Sequence, residues 1–292
     1  MSSDRSAPSS HTAGREAPAA LRIGLFGALG RMGQMLVRAI ASPPAEGAAE
    51  PVPKVTLGAA LEGPNCAHLM RDIGMLVGLG PIGIDVRSDL GEALLGCDVM
   101  IDFSTASATP LLVPAAAAAG VPLVIGTTGL SPETLHAIEE ASERVPIVRS
   151  ANMSPGVTVL LGLVRQAAAT LADYDVEIVE LHHNQKRDAP SGTALLLSQA
   201  VQEGRHGTSE LVPGREGQVG PRRASELGLF AVRGGDVVGE HTVYLFGPGE
   251  RIELVHRASS REVFAKGALR AARWVAGRRP GLYTMADVVG LR

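Results

Sequence analysis

The sequence predicts an α/β protein built in two unlike parts, a parallel-sheet unit followed by an α+β unit with a mostly antiparallel sheet. Three observations carry this. Up to about residue 150, short apolar runs alternate with helix-spaced runs, the order that a parallel sheet requires. Beyond residue 227, three alternating runs are joined by turns so short that consecutive strands must be antiparallel. At 292 residues the chain is also too long for one small core and suits two domains of ordinary size, or one large α/β domain.

Residues 21–27 read as a short buried strand and 31–41 as a helix, because Met32, Met35, Leu36, Ala39 and Ile40 recur at helical spacing. A loop rich in Pro, Ala and Glu, 42–53, leads to a second strand, 54–62, that ends in Glu62. Strands at 98–103, 121–125 and 146–150 then alternate with helices at 110–119 and 132–144. In such a sheet the functional loops lie at the carboxyl ends of the strands. Beyond Gly156 the pattern changes: a helix at 157–172, a strand at 175–181, and a helix reaching about Gln202. Strands at 229–233, 237–246 and 251–257 form a meander, and 261–276 is a last helix stopped by Gly277-Arg-Arg-Pro280. The intervening segment, 204–226, is polar and Gly-rich and reads as a mobile lid or a disordered loop.

Charge narrows the partners. The net charge is −3 with both signs mixed along the chain, so neither a nucleic-acid footprint nor a polybasic membrane patch is indicated, and a small molecule is the expected partner. Cys66 and Cys97 are the only cysteines, too few for a disulfide framework or a Cys-based zinc site, and fit a reducing cytoplasm. No run approaches the roughly 20 apolar residues that span a bilayer. Residues 1–19, rich in Ser, Ala and Pro without an apolar signal core, read as a disordered tail.

Between the first strand and first helix, Gly27, Gly30 and Gly33 stand at spacing three and three, where the familiar dinucleotide fingerprint has two and three. The physical task is the same: a tight turn, close approach of backbone to a pyrophosphate, and a helix start whose free N–H groups favour anions. Gly27, Ala28, Leu29, Gly30, Arg31 and Met32 are therefore candidate cofactor contacts in a Rossmann-like first domain, although the glycines alone would equally suit a structural turn. Glu62 could accept hydrogen bonds from ribose hydroxyls, favouring NADH, whereas Arg31 could pair with the 2′-phosphate of NADPH; the choice between NADH and NADPH stays open. Gly126, Thr127 and Thr128 follow a strand and offer amides and hydroxyls to a carboxamide or ribose, as an ordinary capped turn also would. Ser150, Ala151, Asn152 and Met153 hold the corresponding place after the next strand, where a nicotinamide would lie.

The densest chemistry is the run Glu180-Leu-His-His-Asn-Gln-Lys-Arg-Asp-Ala-Pro-Ser-Gly-Thr193. In a regular strand His182 and His183 would project to opposite faces, so they can share a ligand only at its frayed end. Imidazole needs little tuning to donate a proton near neutral pH, which makes one histidine a general acid and the other a carboxylate donor; two loop histidines are the plain alternative. Lys186 adds positive charge, Asp188 can orient it or cap the turn, and the helix start at Ser191, Gly192 and Thr193 can hold a carboxylate. A metal site is not indicated, because His-His lacks further ligands at the required spacing.

This run closely resembles the signature of the dihydrodipicolinate reductase family. The resemblance extends to Gly27–Gly33, Asp102-Phe-Ser, Gly126-Thr-Thr-Gly, Ala151-Asn-Met-Ser, Arg215-Glu-Gly and the run from Val232 to Thr242, and so spans nearly the whole chain after the tail. It implies reduction by NADH or NADPH of a cyclic dicarboxylate imine to tetrahydrodipicolinate, in lysine and diaminopimelate biosynthesis. It further implies His182 as the acid that protonates the ring, with Lys186 sometimes sharing that role, and His183, Lys186, Gly192 and Thr193 as carboxylate binders. Homotetramers built through the second domain's sheet are common in the family. The implied division is 20–153 with 261–292 for the dinucleotide and 154–260 for substrate and oligomerisation. Gly63 stands where the family often has an arginine reaching an NADP phosphate, which argues against a strong NADP preference. Met153 stands where an aromatic is frequent, and Pro155 is also less usual. Two other readings are an oxidoreductase acting on a different small dicarboxylate and a non-catalytic dinucleotide sensor; a sensor has no use for His182, Lys186 and Thr193 together.

Overall fold

A computed structural model describes residues 20–42, 54–207 and 209–291. The tail and most of the Pro-rich loop lie outside the described residues. The chain begins β1 (Leu21–Phe26), α1 (Arg31–Ala41), β2 (Val55–Leu61), α2 (Ile73–Leu76), β3 (Val86–Arg87), α3 (Leu90–Leu95), β4 (Val99–Asp102), α4 (Thr109–Ala119), β5 (Leu123–Ile125), α5 (Pro132–Ser142) and β6 (Pro146–Arg149). It continues α6 (Pro155–Thr170), β7 (Asp175–His182), α7 (Gly192–Arg205), β8 (Glu210–Val212), β9 (Glu226–Arg233), β10 (Gly239–Gly247) and β11 (Glu250–Ala258), then α8 (Glu262–Val275), β12 (Gly281–Tyr283) and α9 (Met285–Val289).

The first sheet has the order β12-β6-β5-β4-β1-β2-β3, with every ladder parallel. Its central strands β4 and β5 are buried along their whole length because both faces are covered. Ile23, Leu25 and Ile101 pack with α1 and α8 through Leu36, Val37, Ala268 and Ala272. Phe26, Leu61 and Met100 face the other way, onto Leu94, Leu112 and Ile138 of α3, α4 and α5. Serines set the helix starts: the Ser131 and Ser154 hydroxyls accept from Thr134 N and Val157 N, each followed by a proline that fits the first helical position.

The long helices and central strands lie where the sequence puts them, and the two-part α/β and α+β architecture holds. α2, β3, α3, β12 and α9 add to the expected elements, each too short to show a period in the sequence. Asp72 and Asp89 cap α2 and α3 by accepting from Met75 N and Glu92 N, so local capping rather than periodicity marks these elements.

The second sheet has the order β11-β10-β7-β9-β8. It is mixed: β10 pairs antiparallel with β11 and β7, while β9 pairs parallel with β7 and β8. The expected meander is therefore only half right. β10 and β11 form a hairpin, but β7 lies between β9 and β10, because the turn after β9 opens wide enough to receive His183: Val237 O accepts from His183 N at 2.8 Å. The inner face, with Val176, Ile178, Leu229, Val243 and Leu245, packs on α6 and α7.

The lid expectation for 204–226 also changes. Its first residues end α7, its middle contributes β8, and three arginines fasten the rest. Arg215 reaches Glu177 and Glu226 at 2.9 Å each, Arg222 reaches Asp175 and Glu177, and Arg223 reaches Glu210 and Glu226. Polarity in this segment reflects ion pairing to the sheet. No described helix is long and apolar enough to cross a membrane.

Candidate active site

Strand alternation builds the centre of the site. Glu180 and His182 share the inner face of β7 with Val176 and Ile178, so they point at the start of α7, and Glu180 is fully buried. His182 is the strand's last residue and only 9% exposed. Its Nδ1 lies 2.5 Å from Glu180 Oε2, and its ring meets His241 edge-on with centroids 5.3 Å apart. Burial holds the His182 imidazole below its ordinary pKa; Glu180 pulls it up, and Lys186 and Arg233 push the same way as burial. A Cβ on Gly239 would lie 3.0 Å from His182 Nε2, so glycine there leaves that nitrogen approachable.

His183 turns away, as alternation requires, and its Nε2 accepts from Arg261 at 2.8 Å. Since a guanidinium only donates, neutral His183 carries its hydrogen on Nδ1. Lys186 Nζ lies 2.9 Å from Asp188 Oδ1, so Asp188 orients Lys186, one of the two roles open to it, and Ser191 caps α7 in its place by accepting from Ala194 N. Gly192 and Thr193 are the first residues of α7.

His241, on β10, joins the site with no local signal in the sequence. Its Nε2 lies 3.2 Å from Ser191 Oγ while its buried Nδ1 has no partner among the described residues. Burial pushes the His241 pKa down to about 4, with His182, His256 and Lys186 acting the same way and Glu180 opposing. The folded protein thus binds this proton less readily than the unfolded chain, whose histidines titrate near ~6.5. His241 therefore contributes stability that is complete above pH ~6.5 and is lost as pH falls towards 4. Thermal unfolding between pH 7 and 4 should show this loss, and a His241→Gln variant should show a shallower one; equal slopes would refute the assignment.

On the nucleotide side, the expected residues gather at the carboxyl edge of the first sheet. Gly27 has φ +81°, and a Cβ on Gly33 would lie 2.2 Å from Gly27 O, so the turn and the seat of α1 both require glycine. Gly30 precedes α1 with no side chain capping the helix start, Arg31 is exposed there, and Met32 is half-buried. These features fit a pyrophosphate at the turn. Ala28 is buried in the core and its N–H donates to Leu61 O at 3.1 Å, so it builds the turn from inside.

Three details depart from expectation. Glu62 Oε1 accepts from Leu29 N at 2.6 Å, so the acid braces the glycine turn itself. The Thr127 hydroxyl is turned inward onto the buried Asp102 carboxylate at 2.9 Å, which also accepts from Ser104 and Thr109; Gly126 seats against Phe103, and only Thr128 is exposed. Met153 belongs to the core, 2% exposed, so its side chain is unavailable to a cofactor. Ser150 instead shapes the loop, its hydroxyl donating to Asn152 O at 2.8 Å, with Ala151 exposed beside it.

The two halves meet through Asn152. Its Oδ1 accepts from Ser154 N, and its Nδ2 donates to Thr193 Oγ1 at 2.9 Å. Arg261, at the start of α8, makes the second link through His183. Glu180 could have been read from its spacing of two to His182 on an alternating strand. Arg233, Arg261 and His241 lie 50 or more residues from Glu180, His183 and Ser191, the partners they meet here, and carry no local signal.

Comparison with known proteins agrees with this arrangement. The family model described as "Dihydrodipicolinate reductase, N-terminus" matches residues 21–153, and that described as "Dihydrodipicolinate reductase, C-terminus" matches 156–289. A 4-hydroxy-tetrahydrodipicolinate reductase of Anaeromyxobacter sp. (strain Fw109-5) is 51% identical over 269 residues, spanning 91% of this chain and 96% of its own. The protein of that name from Acinetobacter baumannii (strain AYE) is 45% identical over 276 residues, spanning 94% and 97%. Among solved structures, a dipicolinate-bound dihydrodipicolinate reductase from Paenisporosarcina sp. TG-14 shares the fold, with TM-score 0.73 at 22% identity over 92% of this chain and 98% of that one. With both family models matched end to end across the described fold, the chain belongs to the dihydrodipicolinate reductase family.

Proposed function

We propose that His182 is the proton donor of a hydride-transfer site that lies between the glycine-turn edge of the first sheet and the start of α7. The chain is an NAD(P)H-dependent oxidoreductase, a 4-hydroxy-tetrahydrodipicolinate reductase of lysine and diaminopimelate biosynthesis. NADH or NADPH supplies the hydride. Gly27, Gly30 and the uncapped start of α1 receive the pyrophosphate, Arg31 and Glu62 stand nearest the ribose side, and Gly126, Thr128 and the 150–153 backbone border the nicotinamide.

Substrate carboxylates are held from three sides. Lys186 gives charge, Gly192 gives a helix-start N–H, and Thr193 gives its hydroxyl hydrogen, left free because Asn152 donates to its oxygen. His183 adds its Nδ1–H. His182 then delivers a proton from Nε2 to the ring. Arriving carboxylates favour its charged form and offset the effect of burial.

The observation that carries this reading is the Asn152–Thr193 hydrogen bond, 2.9 Å, which joins the nicotinamide edge to the carboxylate-binding turn. A coupled assay with freshly generated synthase product, following NADH and NADPH oxidation separately, tests it; absence of both oxidations would overturn it. Lys186→Ala should chiefly raise KM for the dicarboxylate, with a smaller fall in kcat, as loss of a carboxylate partner predicts. Unchanged kinetics would reject the clamp.

The proposed division into 20–153 with 261–292 and 154–260 follows the two sheets and their cores. A cytoplasmic setting is proposed from the two unpaired cysteines. A homotetramer is proposed from the second sheet's outer face, where Val232, Phe246 and Val255 remain exposed. Light scattering showing a monomer would refute that assembly.

A further inference from the structure

We propose that Glu180, clamped by Arg233, is a positioning residue that fixes which nitrogen of His182 exchanges the catalytic proton. This rests on the reading of His182 as proton donor. Glu180 is fully buried, and each of its hydrogen-bond partners other than His182 is an obligate donor, with His241 the one other titratable ring beside the pair among the described residues. Arg233 meets Oε1 and Oε2 through two nitrogens at 2.8 Å each, and Ser191 N meets Oε1 at 3.0 Å. A guanidinium and a backbone amide can only donate, so both carboxylate oxygens act as acceptors. Burial alone would raise the Glu180 pKa, but the hydrogen bonds from Arg233, His182 and Ser191 outweigh it and hold the group below the usual carboxylate range.

With Glu180 ionised, the nitrogen 2.5 Å from Oε2 must carry hydrogen: neutral His182 is the Nδ1–H tautomer. Gain and release of a proton are thereby confined to Nε2, the nitrogen left approachable by Gly239. The carboxylate also favours the imidazolium against burial, so one group both orients the ring and keeps it chargeable. Arg233 is the register partner of His182 across β7 and β9, and it also donates to Asp188 O at 2.7 Å. The same arginine therefore ties the carboxylate to the turn that carries Lys186.

A purely structural reading makes Glu180 and Arg233 a buried pair that joins β7, β9 and the 183–190 turn. The two readings differ in what Glu180→Gln does. An amide offers hydrogens where the carboxylate accepted, which drives neutral His182 towards the Nε2–H tautomer. We expect kcat to fall on the order of 10- to 100-fold, within the range of disabled acid catalysis, with KM for NADH little changed. The limb of the pH–kcat profile assigned to His182 should move to lower pH, and Glu180→Asp should restore part of both. In Glu180→Gln combined with His182→Ala, kcat should be no lower than in His182→Ala alone.

Ring 15N shifts of His182 in the unaltered protein give a readout that needs no variant to fold. Nδ1–H in the neutral ring supports the proposal, and Nε2–H overturns it. A folded Glu180→Gln protein with unchanged kcat and pH profile also overturns it. If His182→Ala is fully active, the donor reading itself fails; if His182→Ala is crippled while Glu180→Gln is not, only the positioning role fails.

Discussion

His182→Ala should lower kcat by about 100-fold or more, the usual scale of general-acid loss, with little change in KM for NADH or NADPH. The side chain stands on β7 and its ring leans on Glu180 and His241, none of which belongs to the glycine turn, so cofactor binding has no reason to suffer. The pH profile gives the sharper test. Because the proton must be present before transfer, kcat/KM should fall as pH rises through the His182 pKa of the free protein, which burial keeps below the ordinary histidine value. Alanine should abolish that limb. A variant of undiminished kcat, or one retaining the limb, would remove His182 from the mechanism.

Gly33→Ala should damage the first domain's stability and its glycine turn together. Its Cβ would lie 2.2 Å from Gly27 O and 2.5 Å from Ala28 O, both backbone atoms that cannot rotate aside. Accommodation requires α1 to shift away from the turn, which overpacking of this kind makes costly by about 1–3 kcal/mol. The same shift spoils the helix start that faces the pyrophosphate, so NADH affinity should fall together with the unfolding midpoint. Denaturant melts and NADH fluorescence titration measure the two effects separately. A variant with unaltered stability and affinity would show that close approach at Gly33 is not required.

Much of the candidate site is legible in the sequence because its geometry is local. The alternation of a strand separates His182 from His183, and Pro190, Ser191 and Gly192 announce a helix start within hydrogen-bonding reach of that strand's end. The glycine turn is legible for the same reason: strand, turn and helix are contiguous, and each glycine has a backbone task. Glu62 shows the limit of such reading. Its place at the end of β2 is correct, but only the folded turn reveals that Leu29 N takes the carboxylate that ribose hydroxyls were expected to use. Met153 follows β6 as the sequence predicts, yet its burial depends on α8, which arrives more than a hundred residues later.

By itself, then, the sequence determined the alternating first sheet, the α+β second part and the glycine turn, and it put His182, Lys186, Gly192 and Thr193 forward as a candidate set. These follow from periodicities and turn chemistry that act over a few residues. Tertiary structure decided what distant partners impose: the insertion of β7 between β9 and β10, the ion pairs that fasten 210–226, and the contacts of Arg233, His241 and Arg261 around the two histidines. A hydrogen-bond partner is chosen by which strands lie side by side, and that choice depends on burial of whole sheet faces. No window of local sequence contains it.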